Sequence, residues 1–370
     1  NILYSIYFDF ILDLNSYLIT FIISLIIGLI FFYIGRNDSK NISLIEQIFF
    51  IVVSFIFIPL IISIPYFLSI YNINFIDSYF ESLSGFTTTG FTIIQNVKRI
   101  DNPLLLWRSS SQWIGGLIFL ISIIGTIGSK QIRIKPAYLI SGGASGRNFY
   151  NNFTYNFTKI FLIYFFSTLF VIFLYRVADI RFLDSVNLAF TTISSGGFIT
   201  ENSLSSIVNS NIGIFILSIT LLFPILNFFL IYDIFTKKFS LKDFHEDVHL
   251  ISLIFLLILF IYFVFNPDEI FFNTFFSVVT SISTSGISNY SSSFDLSLFF
   301  ILLTIIGGSL ISTSSGFKYI RFYILLKISY QEIYRLVKPI NIVDKNLFNT
   351  ESKIDDQDLK IAFFVFISLI

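Results

Sequence analysis

Uncharged oxygens, repeated at one spacing, are the chemistry this sequence offers. Residues 75–91 (FIDSYFESLSGFTTTGF), 182–198 (FLDSVNLAFTTISSGGF) and 271–287 (FFNTFFSVVTSISTSGI) align without gaps. Each begins with Phe, carries Asp or Asn two residues on, then Ser or Thr, and reaches a glycine fifteen residues after the Phe: Gly90, Gly197 and Gly286. Small or hydroxyl residues stand just before: Thr88 and Thr89, Ser195 and Gly196, Thr284 and Ser285. Backbone carbonyls and hydroxyls are hard neutral ligands, and rings of carbonyls that replace a hydration shell can select potassium. A glycine lets such carbonyls turn toward an axis with no Cβ in the way. Small residues also serve close helix contacts. Three gap-free copies, each between apolar runs, argue for a shared role as ion ligands instead.

Two further stretches carry reactive types. Gly307, Gly308 and Gly316, with Ser312 and Thr313 among the hydroxyls between them, interrupt a later apolar run. Lys318 and Arg321 follow at once. Either cation could repel a permeating ion at an inner mouth or pair with a carboxylate; the plainer alternative is that both snorkel to headgroups. HEDVH, residues 245–249, fits the H-E-x-x-H spacing that places two histidines on one helix face around zinc. That would make the chain a membrane zinc metalloprotease. Against it, these are the only two histidines and they open a polar helix start beside a charged loop. The absence of Cys excludes disulfides, thiolate metal sites and cysteine nucleophiles.

The elements that must position these oxygens are membrane helices. Only 12% of the 370 residues are charged, about half the share in a soluble domain, and 55% are hydrophobic. Apolar runs at 17–34, 44–70, 104–127, 160–177, 212–235 and 250–265 approach or exceed the roughly 20 residues a span needs. Another begins near 296, a last one covers 361–370, and residues 1–14 read as the tail of an earlier helix. The fold class is therefore an all-α polytopic membrane protein. A net charge of zero gives no reason to expect nucleic acid as a partner. Eighteen of the 23 Lys and Arg residues fall in 36–40, 130–159, 237–242 and 318–360, which places those segments in the cytoplasm and the repeated stretches outside.

Asp77, Asp184 and Asn273 read as N-caps of short helices, too short to span, that enter from outside. The C-terminus of such a helix carries partial negative charge toward a cation. Asp77, Asp184 and Glu81 could also concentrate cations at an outer mouth. Trp107 and Trp113 read as interface anchors. Asn227 and Asp233 either face a pore or pair with lysine.

With these residues in view, the chain resembles the Trk/Ktr/HKT superfamily of potassium transporters, closest to its TrkH-type membrane subunits. The stretches SGFTTTGFT, SSGGF and STSGI are similar to that family's first three filter loops. Residues 307–327 resemble its interrupted helix, and residues 330–339 the basic segment after it. The resemblance implies helix–re-entrant pore loop–helix units around a central ion pore, with Gly90, Gly197 and Gly286 in the filter. Gly90 rather than Ser implies potassium; a sodium-permeable member is the alternative. It implies a gate at Gly307–Phe317 with Lys318 and Arg321 beside it. It also implies a homodimer with a TrkA-like cytoplasmic nucleotide-binding regulatory subunit, in a bacterial cytoplasmic (inner) membrane. Potassium would be cargo, with no cofactor in this chain.

On this plan residues 1–42 form helices outside the pore and 43–130 the first pore repeat. A cytoplasmic loop (131–157), a second repeat (158–238) and a third with the interrupted helix (239–330) follow. Residues 331–360 form a cytoplasmic segment and 361–370 begin a fourth repeat. Ile311, Ser314 and Ser315 stand where the family's gate commonly has Gly. A fourth repeat that barely begins, and a chain that starts without Met, lead to the expectation of a longer product.

Overall fold

The computed structural model describes residues 1–10, 13–37, 43–127, 153–236, 243–265, 271–288, 296–337, 346–349, 354 and 356–369. Among the described residues there are fifteen α-helices and no β-strand. Five are long and apolar enough to cross a bilayer, with mean hydropathy from 1.2 to 2.8. They are α2 (Leu14–Gly35), α3 (Leu44–Phe67), α5 (Asn102–Ile127), α6 (Phe153–Val177) and α11 (His245–Phe265). The chain is an all-α polytopic membrane protein. Most of the 131–157 loop lies outside the described residues.

Two compact units divide the chain. The first comprises Asn1–Ser122, Ser167–Gly213 and Ser285–Tyr290. It contains α1 (Ile2–Tyr7), α2, α3, α4 (Phe75–Phe86), most of α5 and α7 (Phe182–Ser194). Only 6% of the most apolar stretch of α2 is buried, against 56% for α5. Phe21, Phe31 and Phe32 of α2 point outward, which suits lipid, while α5 is packed inside the unit. Lipid tails are as apolar as leucine, so burial alone gives little drive here, and packing and hydrogen bonds must hold the helices. Tyr66, Phe86 and Leu104 form the fully buried centre of one cluster. Pro59 and Pro65 lie inside α3, each removing one N–H from the helical ladder. Around them α3 carbonyls accept side-chain donors: Tyr79 Oη to Ile56 O (3.1 Å), Ser82 Oγ to Pro59 O (2.8 Å) and Trp107 Nε1 to Ile62 O (3.0 Å). Trp113 Nε1 likewise donates to Thr168 Oγ1 (2.9 Å). Both tryptophans thus tie helix to helix, beyond the anchoring expected from sequence.

The second unit comprises Ile123–Phe166, Ile214–Thr284 and Ser291–Ile370. Here the expected span at 212–235 is not one continuous helix. It is built as α8 (Asn211–Thr220), α9 (Leu222–Ile225) and α10 (Phe228–Phe235), bent by 107° at residues 226–227. Pro224, inside α9, has no N–H to carry on the ladder from α8, and beyond the bend Asn227 caps α10 by accepting from the Phe229 N–H (3.0 Å). Asn227 is thus a cap, a role not expected for it from the sequence. The span expected from 250 instead begins at His245. Next come α12 (Phe271–Ser283), α13 (Ser297–Ile306), α14 (Tyr319–Val337) and α15 (Asp356–Leu369). The first residues of the expected 331–360 segment continue α14, and the final apolar run starts its helix earlier, at Asp356.

The N-cap expectations are also corrected. Asn74, not Asp77, caps α4, accepting from the Asp77 N–H at 2.8 Å. Arg181 occupies the cap position of α7, with Asp184 in the first turn. Asn273 lies inside α12, two residues past its start. Residues 1–14 are not one helical tail, since α1 closes at Tyr7.

Candidate ion-filter loops and interrupted span

The three short helices α4, α7 and α12 are 12, 13 and 13 residues long and end alike. Thirteen residues after the starting Phe, Thr88, Ser195 and Thr284 are left-handed, with φ of 56°, 62° and 59°. Two residues on, Gly90, Gly197 and Gly286 are left-handed again, with φ of 82°, 85° and 66°. In the first two loops this turn is a Schellman cap, and the third shares its inner hydrogen bond. Thr88 N donates to Gly85 O (3.0 Å) and Thr89 N to Ser84 O (2.9 Å). Ser195 N donates to Thr192 O (3.2 Å) and Gly196 N to Thr191 O (2.8 Å). Thr284 N donates to Ser281 O (3.1 Å). The sequence repeat is therefore a repeat of backbone conformation.

Within the first unit these loops approach backbone to backbone. A Cβ on Gly90 would lie 2.3 Å from Gly196 O, and one on Gly197 would lie 2.0 Å from Ser285 O. Glycine is required at both positions by space and by φ. A carbonyl oxygen of a neighbouring loop thus lies against each of Gly90 and Gly197. A Cβ on Gly286 meets nothing within 4 Å. The Thr89 hydroxyl pairs with that of Thr87 at 2.7 Å.

Residues that sequence reasoning missed hold these loops. Gln112 of α5 is fully buried. Its Nε2 donates to Gly196 O (2.6 Å), while Oε1 accepts from Thr191 Oγ1 (2.6 Å) and Phe198 N (3.2 Å). Arg108, one helical turn earlier, pairs with Glu81 at 2.9 Å with both side chains buried. Glu81 also accepts from Thr92 Oγ1 (2.9 Å) and the Ile93 N–H (3.1 Å). The Arg108 guanidinium lies 4.3 Å from the centre of the Phe198 ring. Glu81 is therefore a scaffold residue, not a charge at an open mouth. Asp184 is engaged too, by Thr200 Oγ1 at 2.6 Å and by Arg181, and Asp77 accepts from Asn74 Nδ2 at 2.6 Å. The available signal was the polar run RSSSQ, residues 108–112, inside an expected span, because polar groups there need a partner.

The second unit holds the interrupted span. Helix α13 stops at Gly307 (φ 69°) and α14 resumes at Tyr319. Unpaired backbone groups are not tolerated at membrane depth unless protein or water satisfies them, and here a second broken helix does. Ser309 N donates to Ile225 O (2.8 Å), Ser314 N to Pro224 O (3.0 Å), and Phe228 N to Ile311 O (2.7 Å). The bend between α9 and α10 and the break between α13 and α14 thus satisfy each other. Gly308 N donates to Ser314 Oγ (3.1 Å), and Ser312 Oγ donates to Ser309 O (2.6 Å). Thr284 Oγ1 accepts from Ser315 N (3.0 Å) and Ser315 Oγ (2.9 Å). Thr313 and Gly316 complete the loop, with Gly316 again left-handed (φ 94°).

Lys318 does not snorkel. It is 7% exposed, and its ammonium turns back into the loop. Arg321 is only partly buried and donates to Phe317 O at 3.3 Å. HEDVH has a different use from zinc binding. Glu246 Oε1 accepts from the Leu310 N–H (3.0 Å) and Asp247 Oδ1 from the Asn227 N–H (2.8 Å), so the pair supports both breaks. The His249 ring lies 5.8 Å from that of Tyr323 and 5.2 Å from that of Phe348. Among the described residues no three His, Cys, Asp or Glu side chains are grouped to hold a metal, and the metalloprotease reading is not favoured.

No family-level sequence profile matches the chain. An uncharacterized cation transporter of Methanocaldococcus jannaschii is 30% identical over 363 residues, covering 94% of this chain and 73% of that protein. The Trk system potassium uptake protein TrkG of Escherichia coli is 26% identical, covering 90% and 72%. TrkH of Salmonella typhimurium is also 26% identical, covering 89% and 71%. The crystal structure of the potassium transporter TrkH from Vibrio parahaemolyticus superposes with a TM-score of 0.76, at 22% identity, covering 96% of this chain and 75% of that one.

Proposed function

Because the chain belongs to the TrkH family of membrane cation transporters, within the Trk/Ktr/HKT superfamily, we propose that it takes up potassium through a filter of backbone carbonyls. It is a multi-pass transporter, not an enzyme. The observation that carries the filter reading is the pair of left-handed residues at one register in three loops, with Gly90 against Gly196 O and Gly197 against Ser285 O. In this reading Thr88, Thr89, Gly90, Ser195, Gly196, Gly197, Thr284, Ser285 and Gly286 line the filter, and the ion exchanges water for their oxygens. Potassium is the cargo the potassium-uptake relatives support, and Gly90 fits it. Gly307, Gly308, Ser312, Thr313, Gly316, Lys318 and Arg321 form the gate, because a break held by hydrogen bonds to a second break can rearrange as a unit. Pore repeats at 43–130, 158–238 and 239–330, a homodimer, a nucleotide-binding cytoplasmic partner and the bacterial inner membrane complete the proposal by family resemblance.

The test is rubidium uptake with sodium competing, in bacteria that lack their own potassium uptake and express the full-length gene with its partner. Saturable uptake that resists sodium is the expected result. No uptake from protein present in the membrane would overturn the potassium reading.

A further inference from the structure

Lys318 occupies a place that a diffusing cation could take. Its backbone is left-handed (φ 78°), a region that side chains other than glycine enter at a cost. Its ammonium donates to Ser312 Oγ (3.0 Å), Ser312 O (3.3 Å) and Ser314 O (2.5 Å). All three N–H groups therefore have oxygen acceptors, and two of those acceptors are backbone carbonyls of the interruption. The charged groups that act on this ammonium are Glu246 and Arg321. Asp247 lies beside Glu246, and the Tyr319 phenol also senses the Glu246 carboxylate. Glu246 accepts from Leu310 N (3.0 Å) and faces the Ile320 backbone N–H. An ammonium and a potassium ion are of similar size, and both are satisfied by uncharged oxygens.

We propose that the interruption contains an alkali-cation site, formed by Ser312 O, Ser312 Oγ and Ser314 O with Glu246 as counter-charge, and that Lys318 plugs it. The tethered ammonium holds the loop in this conformation. When Lys318 withdraws, a potassium ion takes the same oxygens and the loop opens a path. This inference rests on the gate reading above, and it adds an identified plug and a ligand class to it.

The experiment compares rubidium uptake by the wild type, Lys318→Ala, Glu246→Gln, the double variant and a deletion of residues 309–315, normalised to protein in the membrane. Lys318→Ala is expected to raise initial uptake about fivefold with sodium discrimination unchanged. Added methylammonium should bring that uptake back toward the wild-type rate at concentrations that leave the wild type unaffected. Glu246→Gln keeps a carbonyl for Leu310 N but removes the counter-charge. It should raise uptake about twofold, and the double variant should not exceed Lys318→Ala, because coupled sites are not additive. Uptake at or below wild type in Lys318→Ala overturns the plug, as does methylammonium acting equally on both proteins. If Lys318→Ala fails to reach the membrane, unchanged uptake in Glu246→Gln overturns it. Raised uptake in the deletion with none in Lys318→Ala leaves the gate standing and removes the plug. No rise in either removes the gate reading, and the plug with it.

Discussion

At the scale of single residues, three equivalent glycines differ in what surrounds them. Gly90 and Gly286 share a left-handed φ, but only Gly90 has a carbonyl where a Cβ would go. Gly90→Ser must push Gly196 O aside, so a candidate ligand moves. We expect potassium-over-sodium discrimination to fall about tenfold, the effect of roughly 1.4 kcal/mol at an ion site. Gly286→Ala adds only backbone strain, about 1–2 kcal/mol, and should lower thermal stability while changing discrimination less. Competition uptake assays on the two variants check both outcomes; equal discrimination would remove Gly90 from the filter. The buried pair behind the loops makes a second case. Glu81→Ala leaves the Arg108 charge unpaired at 2% exposure. Breaking a buried pair costs about 3–5 kcal/mol, so little folded protein should reach the membrane. Glu81→Leu with Arg108→Met removes both charges and should restore part of its abundance, measured by immunoblot and thermal denaturation, because no charge is then left unpaired and only the Ile93 N–H and Thr92 hydroxyl lose their acceptor.

At the scale of elements, the two breaks are one structure. Deleting residues 309–315 takes away the donors to Ile225 O and Pro224 O and the acceptor for Phe228 N. An unsatisfied buried group costs about 1–3 kcal/mol. The deletion should therefore lower the melting temperature as it raises rubidium flux, and flux that stays at the wild-type level would argue against a gate there. The same elements show what a sequence reveals. The helix–loop repeat was legible because both left-handed positions sit at fixed distances from one Phe, and hydroxyls and glycine mark them locally. The break in α13–α14 was legible from its glycines. The bend at 226–227 was not, because Pro224 alone suggests a kink, and a 107° turn needs partners supplied much later in the chain by Ile311 and its neighbours. Asn74 lost the cap assignment to Asp77 because both are good caps three residues apart, and only backbone geometry separates them. The inward turn of Lys318 was illegible for a related reason: its acceptors exist only once the loop has folded. Gln112 was within reach of inspection, being an amide inside a span.

At the scale of the whole molecule, stability should depend on pH through a clasp that ties three helix ends in the first unit. Asp13, just before α2, accepts from the Ile70 N–H at 3.2 Å beyond the end of α3. Tyr71 Oη donates to Asp101, just before α5, at 3.2 Å and accepts from the Asp101 N–H at 2.7 Å. Burial, and then the nearby Asp13 charge, push the Asp101 carboxyl up to about 6 from 3.8; burial raises Asp13 as well. A carboxyl whose pKa is higher folded than unfolded binds its proton more tightly in the native state. Its contribution to stability is then complete below about pH 4 and is lost as pH rises through about 6. Asp101→Asn fixes the neutral form while keeping an acceptor for Tyr71. The variant should melt higher than the wild type at pH 7.5 and match it near pH 4, so the difference between the two proteins should develop across pH 4–6. Other carboxylates titrate in the same window, and subtracting the variant's curve from the wild-type curve isolates Asp101. A difference that does not change across that window would mean that Asp101 is ionised in both states and that the clasp is held by its hydrogen bonds alone.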